Sequence, residues 1–338
     1  MRVALVTDAW FPQVNGVVRT LSTVKSKLEA GGHAFAVISP DLFPTLPCPS
    51  YPEIRLAYWT GGGVRRRIED FGAEAVHIAT EGPLGRVARR HCLKVGRPFT
   101  TSYHTRFPEY IGERLPLPLS WSYAVMRAFH APSSNVMVAT DSMRRTLETK
   151  GFKNLKLWSR GVDCEVFRPR DEAFYDLPRP IFLSVGRVAV EKNLTAFLDL
   201  DLPGSKVVVG DGPALATMRK AHPEVTFVGA RHGEDLARHY AGADVFVFPS
   251  LTDTFGLVLL EAMASGLPVA AFPVTGPLDV IGQSGAGVLS RDLRQAALDA
   301  RDIPRDRCRA YAEGYSWEAS ADTFLSYLKP WDKAALAA

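Results

Sequence analysis

Short apolar runs alternate with amphipathic stretches along the chain. Residues 3–7 and 33–39 are apolar runs, and residues 17–30 between them carry apolar side chains at helical spacing. That stretch ends at Gly31 and Gly32, and glycine commonly follows the last turn of a helix. Strand, loop, helix and strand in this order predict the opening of a parallel α/β sheet.

The alternation continues through the first half of the chain. A helix is predicted at residues 143–149 with Ser142 as its N-cap, because serine often accepts hydrogen bonds from a first helical turn. The proline-rich segment 40–52 is predicted to be a surface loop. Four further strands are predicted at residues 75–78, 98–103, 135–140 and 155–158.

A second series of strands follows a segment of linker composition at residues 171–180. Strands and helices that alternate with short loops are typical of doubly wound sheets, so the chain is predicted to be an α/β protein with two Rossmann-like domains. Ligands of such sheets bind beyond the carboxyl ends of the strands. The strands of this series are predicted at residues 181–185, 206–209, 225–228, 245–248 and 269–272.

Length and cysteine content narrow the class of protein. At roughly 100–200 residues per domain, 338 residues agree with two domains. The four cysteines form no CxxC pair, which argues against a zinc site or a disulfide framework and is typical of a reducing compartment. No signal peptide is expected from the N-terminal residues, and the sequence has no run of about 20 apolar residues. A cytoplasmic protein is expected.

Charge is distributed unevenly. Residues 1–168 hold 23 Lys and Arg against 14 Asp and Glu, a net charge of +9, whereas the remainder carries −5. The basic half favours an anionic partner such as phospholipid or a phosphorylated acceptor, although a solvated surface explains it equally well. No nucleic-acid partner is expected, because the excess is mild and no recognised motif is present.

Two loops of the first half carry candidate binding residues. Gly16 lies at the start of the first predicted helix, where backbone N–H groups can approach a phosphate, although Asn15-Gly16 is also a common turn. His104 directly follows a predicted strand and either orients a substrate or makes a structural hydrogen bond.

Glycines also open two loops of the second half. Gly186 follows a strand, and Arg187 and Lys192 come soon after it. A guanidinium and an ammonium in one loop suit a diphosphate. Gly210 follows the next strand, where it either brings the backbone close to a ligand or makes a tight turn.

The segment 249–261, PSLTDTFGLVLLE, joins a strand end to the start of a helix. Asp253 lies in the loop, where a carboxylate can accept hydrogen bonds from sugar hydroxyls, and Glu261 lies two turns along the helix, where it can hold a ribose. Free N–H groups at a helix start suit a phosphate. A helix with an acidic N-cap and one further Glu fits the same spacing. The donor-binding residues predicted at the helix start are Thr254, Phe255, Gly256 and Leu257.

Together these segments resemble the retaining nucleotide-sugar glycosyltransferases of family 4, which have the GT-B fold. The resemblance covers nearly the whole chain and is nearest to the alpha-mannosyltransferases and glycolipid-making members. It is most specific in the block around Asp253. The matching segments are NGVVR at 15–19, RGVD at 160–163, VGR at 185–187 with KN at 192–193, GDGP at 210–213, FVG at 227–229, TDTFG at 252–256 with Glu261, GLPV at 266–269 and YSWE at 315–318.

The resemblance implies two Rossmann-like domains that face each other across a cleft. Residues 1–168 would bind the acceptor, residues 169–314 would bind the nucleotide sugar, and residues 315–338 would form a helix returning to the N-terminal domain. The implied reaction transfers a hexose of the mannose or glucose type from a nucleotide diphosphate donor such as GDP-mannose to a lipid or glycan acceptor, with no metal or cofactor. Residues 199–201 have the Asp-x-Asp pattern of a metal-binding motif, but they are predicted to be a surface feature rather than a metal site.

Residues that match the family pattern acquire implied roles at the donor phosphates. Gly16 would lie against the diphosphate or the reacting sugar. Arg187 and Lys192 would stabilise the diphosphate as it leaves, and the backbone N–H groups of Phe255 and Gly256 would help to bind the sugar and phosphate.

Three polar side chains acquire implied roles at the sugar and ribose. Asp253 would contact the sugar hydroxyls, Glu261 would bind the ribose, and His104 would lie near the reacting sugar. Many family members have Glu at the position of Asp253; aspartate keeps the charge but shortens the reach toward the sugar by one methylene.

The basic half offers residues for an acceptor or a membrane. Arg65–Arg67 and the pair Arg89 and Arg90, together with aromatic side chains, suit peripheral attachment to an anionic surface on the inner membrane face. Two alternatives stay open: a nucleotide-sugar epimerase, and a non-catalytic nucleotide-sugar-binding protein. The aromatic residues of this half are Trp59, Tyr103, Phe107, Tyr110 and Trp121.

Overall fold

The computed structural model describes residues 1–13, 15–48, 51–60, 62–104, 118–170, 174–253 and 255–331, with the side chains of 51–54 left out. The chain forms two compact units, Met1–Ser159 with Trp317–Ala338, and Arg160–Ser316. The division falls before the boundary predicted at residue 168, because Arg309 of the second unit donates hydrogen bonds to the carbonyls of Cys164 (3.0 Å) and Phe167 (2.7 Å).

Six parallel strands form the sheet of the first unit, in the order β2-β1-β5-β6-β7-β8. The pairing of β1 with both β2 and β5 places the ends of these strands side by side, with Val6 opposite Ile38 and Ile78. The strands of this unit are β1 (Arg2–Val6), β2 (Ala34–Ile38), β3 (Thr45–Cys48), β4 (Tyr51–Ala57), β5 (Ala75–Ile78), β6 (Thr100–Tyr103), β7 (Val136–Val138) and β8 (Leu155–Leu157).

The prediction of a surface loop at residues 40–52 is wrong, because β3 and β4 form an antiparallel hairpin there. Arg55 fixes the register by donating hydrogen bonds to the hydroxyl (3.0 Å) and the carbonyl (3.1 Å) of Thr45. A two-stranded ribbon has only edge strands, so Pro47 is tolerated despite its missing N–H group.

Helices cover the first sheet and bury its apolar core. Val64 and Ile68 of α2 and Leu84 of α3 pack against strand residues such as Val6. The predicted N-cap Ser142 is wrong: Thr140 caps α5, with its hydroxyl accepting from the N–H group of Met143. The helices preceding the second unit are α1 (Gly16–Ala30), α2 (Gly63–Asp70), α3 (Pro83–Val95), α4 (Leu119–His130) and α5 (Asp141–Thr149).

The second unit contains its own six-stranded parallel sheet, in the order β11-β10-β9-β12-β13-β14. Its strands are β9 (Ile181–Val185), β10 (Ser205–Val209), β11 (Thr226–Gly229), β12 (Val245–Phe248), β13 (Val269–Ala271) and β14 (Gly287–Leu289). The helices are α6 (Thr195–Leu198), α7 (Leu215–Ala221), α8 (Gly233–Gly242), α9 (Leu257–Ala264), α10 (Thr275–Val280), α11 (Leu293–Ala300) and α12 (Arg305–Ala312).

Strand β14 was not predicted, because its three residues form no recognisable apolar run. Gly287 makes it possible, since a Cβ atom there would lie 2.5 Å from the carbonyl oxygen of Val269 on the neighbouring strand. The two sheets confirm the prediction of an α/β protein with two Rossmann-like folds.

The last helix, α13 (Trp317–Tyr327), packs against α1 of the first unit. The buried indole N–H group of Trp158 donates to the carbonyl of Ser320 at 3.0 Å, and Lys27 of α1 forms an ion pair with Glu318 at 2.6 Å. The chain therefore finishes in the unit in which it began. Among the described residues, no helix is long and apolar enough to cross a membrane.

Candidate functional site

Two glycine loops run side by side at the carboxyl ends of β9 and β10. The N–H group of Gly186 donates to the carbonyl of Val209 (3.0 Å), and that of Val188 donates to the carbonyl of Asp211 (2.9 Å). A Cβ atom on Gly210 would lie 1.8 Å from the Gly186 oxygen, whereas a Cβ atom on Gly186 would meet nothing within 4 Å. Gly210 is therefore needed for close backbone packing, and Gly186 leaves space beside its loop.

The loops after β9 and β12 are tied together by polar side chains. Lys192 ends a 3₁₀ turn, and its Nζ atom lies 2.6 Å from Oδ1 of Asp253. The next residue, Asn193, adopts a left-handed backbone (φ 51°) and donates its amide to the carbonyl of Pro249 at 3.0 Å. Residues predicted to contact phosphate and sugar are thus brought together.

Each predicted phosphate-binding cation has a carboxylate partner. Lys192 pairs with Asp253, and Arg187 pairs with Glu191 at 3.5 Å. Oδ2 of Asp253 is buried and accepts no hydrogen bond from the residues that the structure describes. An anionic ligand at this place would have to replace the carboxylates as partners of Lys192 and Arg187. The ion pairs already hold both cations in position.

The start of α9 is built around a left-handed glycine. Gly256 has φ 85° and precedes Leu257, the first residue of the helix, while Phe255 is buried. Thr254, a predicted donor-binding residue, lies outside the described residues. Sequence reasoning missed Gly276 of α10, where a Cβ atom would lie 2.9 Å from the Asp253 carbonyl oxygen, so α10 packs directly on this loop.

Glu261 is held inside the second unit. Its side chain is on α9, the residue is 2% exposed, and Oε2 accepts a hydrogen bond from the hydroxyl of Tyr240 at 3.0 Å. Tyr240 is itself fully buried on α8. The predicted contact of Glu261 with ribose stays a prediction, and no sequence motif pointed to Tyr240.

The two candidates of the first unit are near strand ends. Gly16 is the first residue of α1, and the side chain of Asn15 caps this helix by accepting from the N–H groups of Val17 and Val18, both at 3.0 Å. His104 directly follows β6, and its ring meets that of Trp158 edge-on at 5.9 Å. Their predicted roles at the sugar and phosphate stay predictions.

Asp8 is a buried carboxylate that the sequence analysis did not single out, although it lies two residues after β1. Oδ1 accepts from the N–H group of Leu84 at 3.0 Å, and Oδ2 accepts from the hydroxyl of Thr80 at 2.8 Å. Burial raises the pKa of Asp8 above its ordinary value, although these hydrogen bonds act in the opposite direction. Asp8 therefore joins the loop after β1 to the start of α3.

Comparison with known proteins decides the family. Residues 14–166 match the model of glycosyltransferase family 4, and residues 179–302 match that of the glycosyl transferases group 1. The chain is 31% identical to a GDP-mannose-dependent alpha-mannosyltransferase of Mycobacterium tuberculosis, over 86% of this chain and 83% of that protein. The chain belongs to glycosyltransferase family 4. It is also 27% identical to an alpha-monoglucosyldiacylglycerol synthase of Streptococcus pneumoniae, over 97% of this chain and 83% of the relative.

Solved structures confirm the GT-B fold predicted for this glycosyltransferase. Anabaena HepE, crystallised with UDP, superposes with a TM-score of 0.74 at 14% identity, over 96% of this chain and 99% of HepE. WaaG, a glycosyltransferase involved in lipopolysaccharide biosynthesis, gives a TM-score of 0.71 at 17% identity, with the same coverage of the two chains.

The basic and aromatic residues of the first unit of the glycosyltransferase divide into two groups. Trp59 and Trp121 are exposed, as are the arginines Arg65–Arg67 on and around α2. Arg89 instead donates to the last carbonyls of α4, and Tyr103 is buried in the core. Phe107 and Tyr110 lie outside the described residues.

His239, on helix α8, makes the stability of the glycosyltransferase depend on pH. Burial, more than any other cause, lowers the pKa of His239 below its ordinary value of 6.5, with Arg231 acting in the same direction and Asp235 against it. The ring packs on Phe174 and meets the hydroxyl of Tyr175 at 2.7 Å.

Because the folded state disfavours protonation of His239, protonation of the unfolded chain below pH 6.5 favours unfolding. The stabilisation is complete above pH 6.5 and is lost as the pH falls toward the lowered pKa of the folded state. We expect His239→Gln to lower the melting temperature less at pH 5.5 than at pH 8. Equal losses at both pH values would contradict this assignment.

Proposed function

We propose that this glycosyltransferase moves a hexosyl group, with retention of anomeric configuration, from a nucleotide diphosphate sugar to a lipid or glycan acceptor. The observation that carries the proposal is the 2.6 Å pair between Lys192 and Asp253, in loops that follow neighbouring strands of the second sheet. Ligands of open α/β sheets bind beyond this edge. A cation suited to phosphate and a carboxylate suited to sugar hydroxyls lie side by side, which supports the proposal.

The chemistry requires departure of a nucleoside diphosphate from the anomeric carbon. Negative charge grows on the β-phosphate as the bond breaks, and Arg187 and Lys192 would stabilise it, an electrostatic contribution that is commonly the largest in enzymes. The acceptor hydroxyl would then attack from the face that the phosphate leaves and give its proton to a phosphate oxygen. In this proposal the side-chain cations do the work of a metal ion.

Names of relatives guide the choice of donor and acceptor. One relative is named for GDP-mannose and another for a glucosyl diacylglycerol product. We therefore propose a donor of the mannose or glucose type, with GDP-mannose as the first to test. The exposed Arg65–Arg67 and Trp59 support an acceptor presented at an anionic membrane surface, on the cytoplasmic side.

A donor panel tests the proposal, because a ligand that binds only the folded state stabilises it by about 2.7 kcal/mol at 100 times its Kd. We expect GDP-mannose or UDP-glucose to raise the melting temperature by several degrees, and ATP to leave it unchanged. The active donor should then yield free nucleoside diphosphate and an α-linked product. Recovery of an isomerised nucleotide sugar would instead establish an epimerase, and binding without turnover would leave a non-catalytic binding protein.

A further inference from the structure

A buried acid and a buried imidazole form a pair in the first unit of the glycosyltransferase. Oε1 of Glu81 lies 3.1 Å from Nε2 of His130, and the two side chains are 8% and 1% exposed. Neither residue belongs to a motif considered above. Burying two polar side chains costs free energy that a well-packed apolar pair would avoid, so stability alone does not explain the pair.

His130 is held at both of its ring nitrogens. Nδ1 lies 2.9 Å from Oγ1 of Thr101, and Nε2 lies 3.1 Å from Oε1 of Glu81. Thr101 donates to the Ser133 hydroxyl (3.2 Å), and Ser133 donates its hydroxyl proton to the His130 carbonyl (2.7 Å). These contacts fix the ring, so that it holds the Glu81 carboxyl group in one orientation.

Glu81 is located at the edge of the sheet where ligands bind. It follows β5, whose end lies beside that of β1, and its neighbour Thr80 bonds to Asp8 in the loop after β1. His104 follows the next strand of the same sheet, β6.

One oxygen of Glu81 remains available to a ligand. Oε1 contacts His130, and Oε2 makes no hydrogen bond with the part of the chain that the structure describes. The Glu81 side chain keeps 8% of its surface exposed, so it can be reached from solvent. A carboxylate fixed on one side by an imidazole and open on the other is suited to accept a hydrogen bond from a hydroxyl.

We propose that Glu81 binds a hydroxyl group of the acceptor and that His130 is the positioning residue that fixes its carboxylate. The inference rests on the proposed function, because it assumes that the first unit receives the acceptor. The ligand group is an alcohol, which a sugar and a glycerolipid headgroup share.

The test is steady-state kinetics with GDP-mannose as donor and two acceptors, methyl α-mannoside and diacylglycerol in detergent micelles. We expect Glu81→Gln to raise the acceptor KM about 10- to 100-fold, the effect of losing a hydrogen bond to a charged group. The donor KM and the slow hydrolysis of donor without acceptor should stay within about twofold of wild type. The acceptor that shows the shift identifies the source of the hydroxyl.

His77→Gln is the matched control, since His77 is also fully buried in this unit but contacts the hydroxyls of Thr100 and Ser102 rather than an acid. We expect His130→Gln to raise the acceptor KM and Glu81→Asp to recover part of the Glu81→Gln loss, whereas His77→Gln affects only the melting temperature. An unchanged acceptor KM in Glu81→Gln, or equal shifts in donor and acceptor KM, would overturn the inference. Failure of the proposed function is a separate result, visible as absence of transfer by the wild type.

Discussion

Lys192→Ala is expected to lower kcat for sugar transfer about 100- to 1000-fold, the range found when one charge-stabilising donor is removed from an active site. The ammonium of Lys192 would otherwise neutralise the β-phosphate as the glycosidic bond breaks. The melting temperature should change little, because Lys192 and Asp253 are both partly exposed (31% and 22%) and such ion pairs contribute about 0–1 kcal/mol.

Lys220→Ala provides the control for Lys192→Ala. Lys220 is exposed on α7 of the same unit, so its removal lowers the net charge equally without touching the loops after β9 and β12. Rates of nucleoside diphosphate release at saturating donor and acceptor would be compared with thermal melts of the same samples. Turnover of Lys192→Ala within threefold of the control would remove this side chain from the leaving-group mechanism.

The ion pair between Lys192 and Asp253 shows how much of the site could be predicted from the sequence. Strand ends are local features, so the loops containing Lys192 and Asp253 were both predicted as sites. Their 2.6 Å contact joins residues 61 positions apart and depends on β9 and β12 being neighbours in the sheet. Spacing along the chain predicted that the two cations suit a diphosphate, which stays a prediction; the structure adds that each cation is paired with a carboxylate.

The failure to predict Asp8 and Glu81 in the first unit has the same physical cause. Asp8 and Glu81 belong to neighbouring strand ends, and each carboxylate is defined by partners that are 49–77 positions away. A single carboxylate after a strand carries no signal of such partners. The same holds for the β3–β4 hairpin: prolines in its sequence favour a loop, whereas the pairing of the two strands and the bonds from Arg55 to Thr45 join residues that are distant in sequence.

The structure adds an explanation for Gly210 that the sequence did not offer. From the sequence, this glycine either brings the backbone close to a ligand or makes a tight turn. The 1.8 Å separation between a Cβ atom on Gly210 and the Gly186 oxygen shows that glycine is also needed for packing against the neighbouring loop. Gly186, whose Cβ position is open, is the glycine that leaves room for a ligand.

Gly210→Ala is therefore expected to destabilise the second unit by roughly 3 kcal/mol, combining backbone strain at φ 153° with overpacking against Gly186. At about 2–4 °C per kcal/mol for a unit of this size, the melting temperature should fall by roughly 6–12 °C. The loop bonds from Gly186 to Val209 and from Val188 to Asp211 would be the first to break, so donor binding should weaken as well.

Gly186→Ala separates the two explanations because it adds the same methyl group on the open side of the loop. Strain at φ 154° remains, at about 1 kcal/mol, but no atom lies within 4 Å of the new carbon. We expect a fall in melting temperature of only a few degrees together with a clear rise in donor KM, since the methyl group enters the space next to Arg187. If Gly210→Ala melts as the wild type does, or Gly186→Ala leaves the donor KM unchanged, the division between a packing glycine and a ligand-facing glycine is wrong.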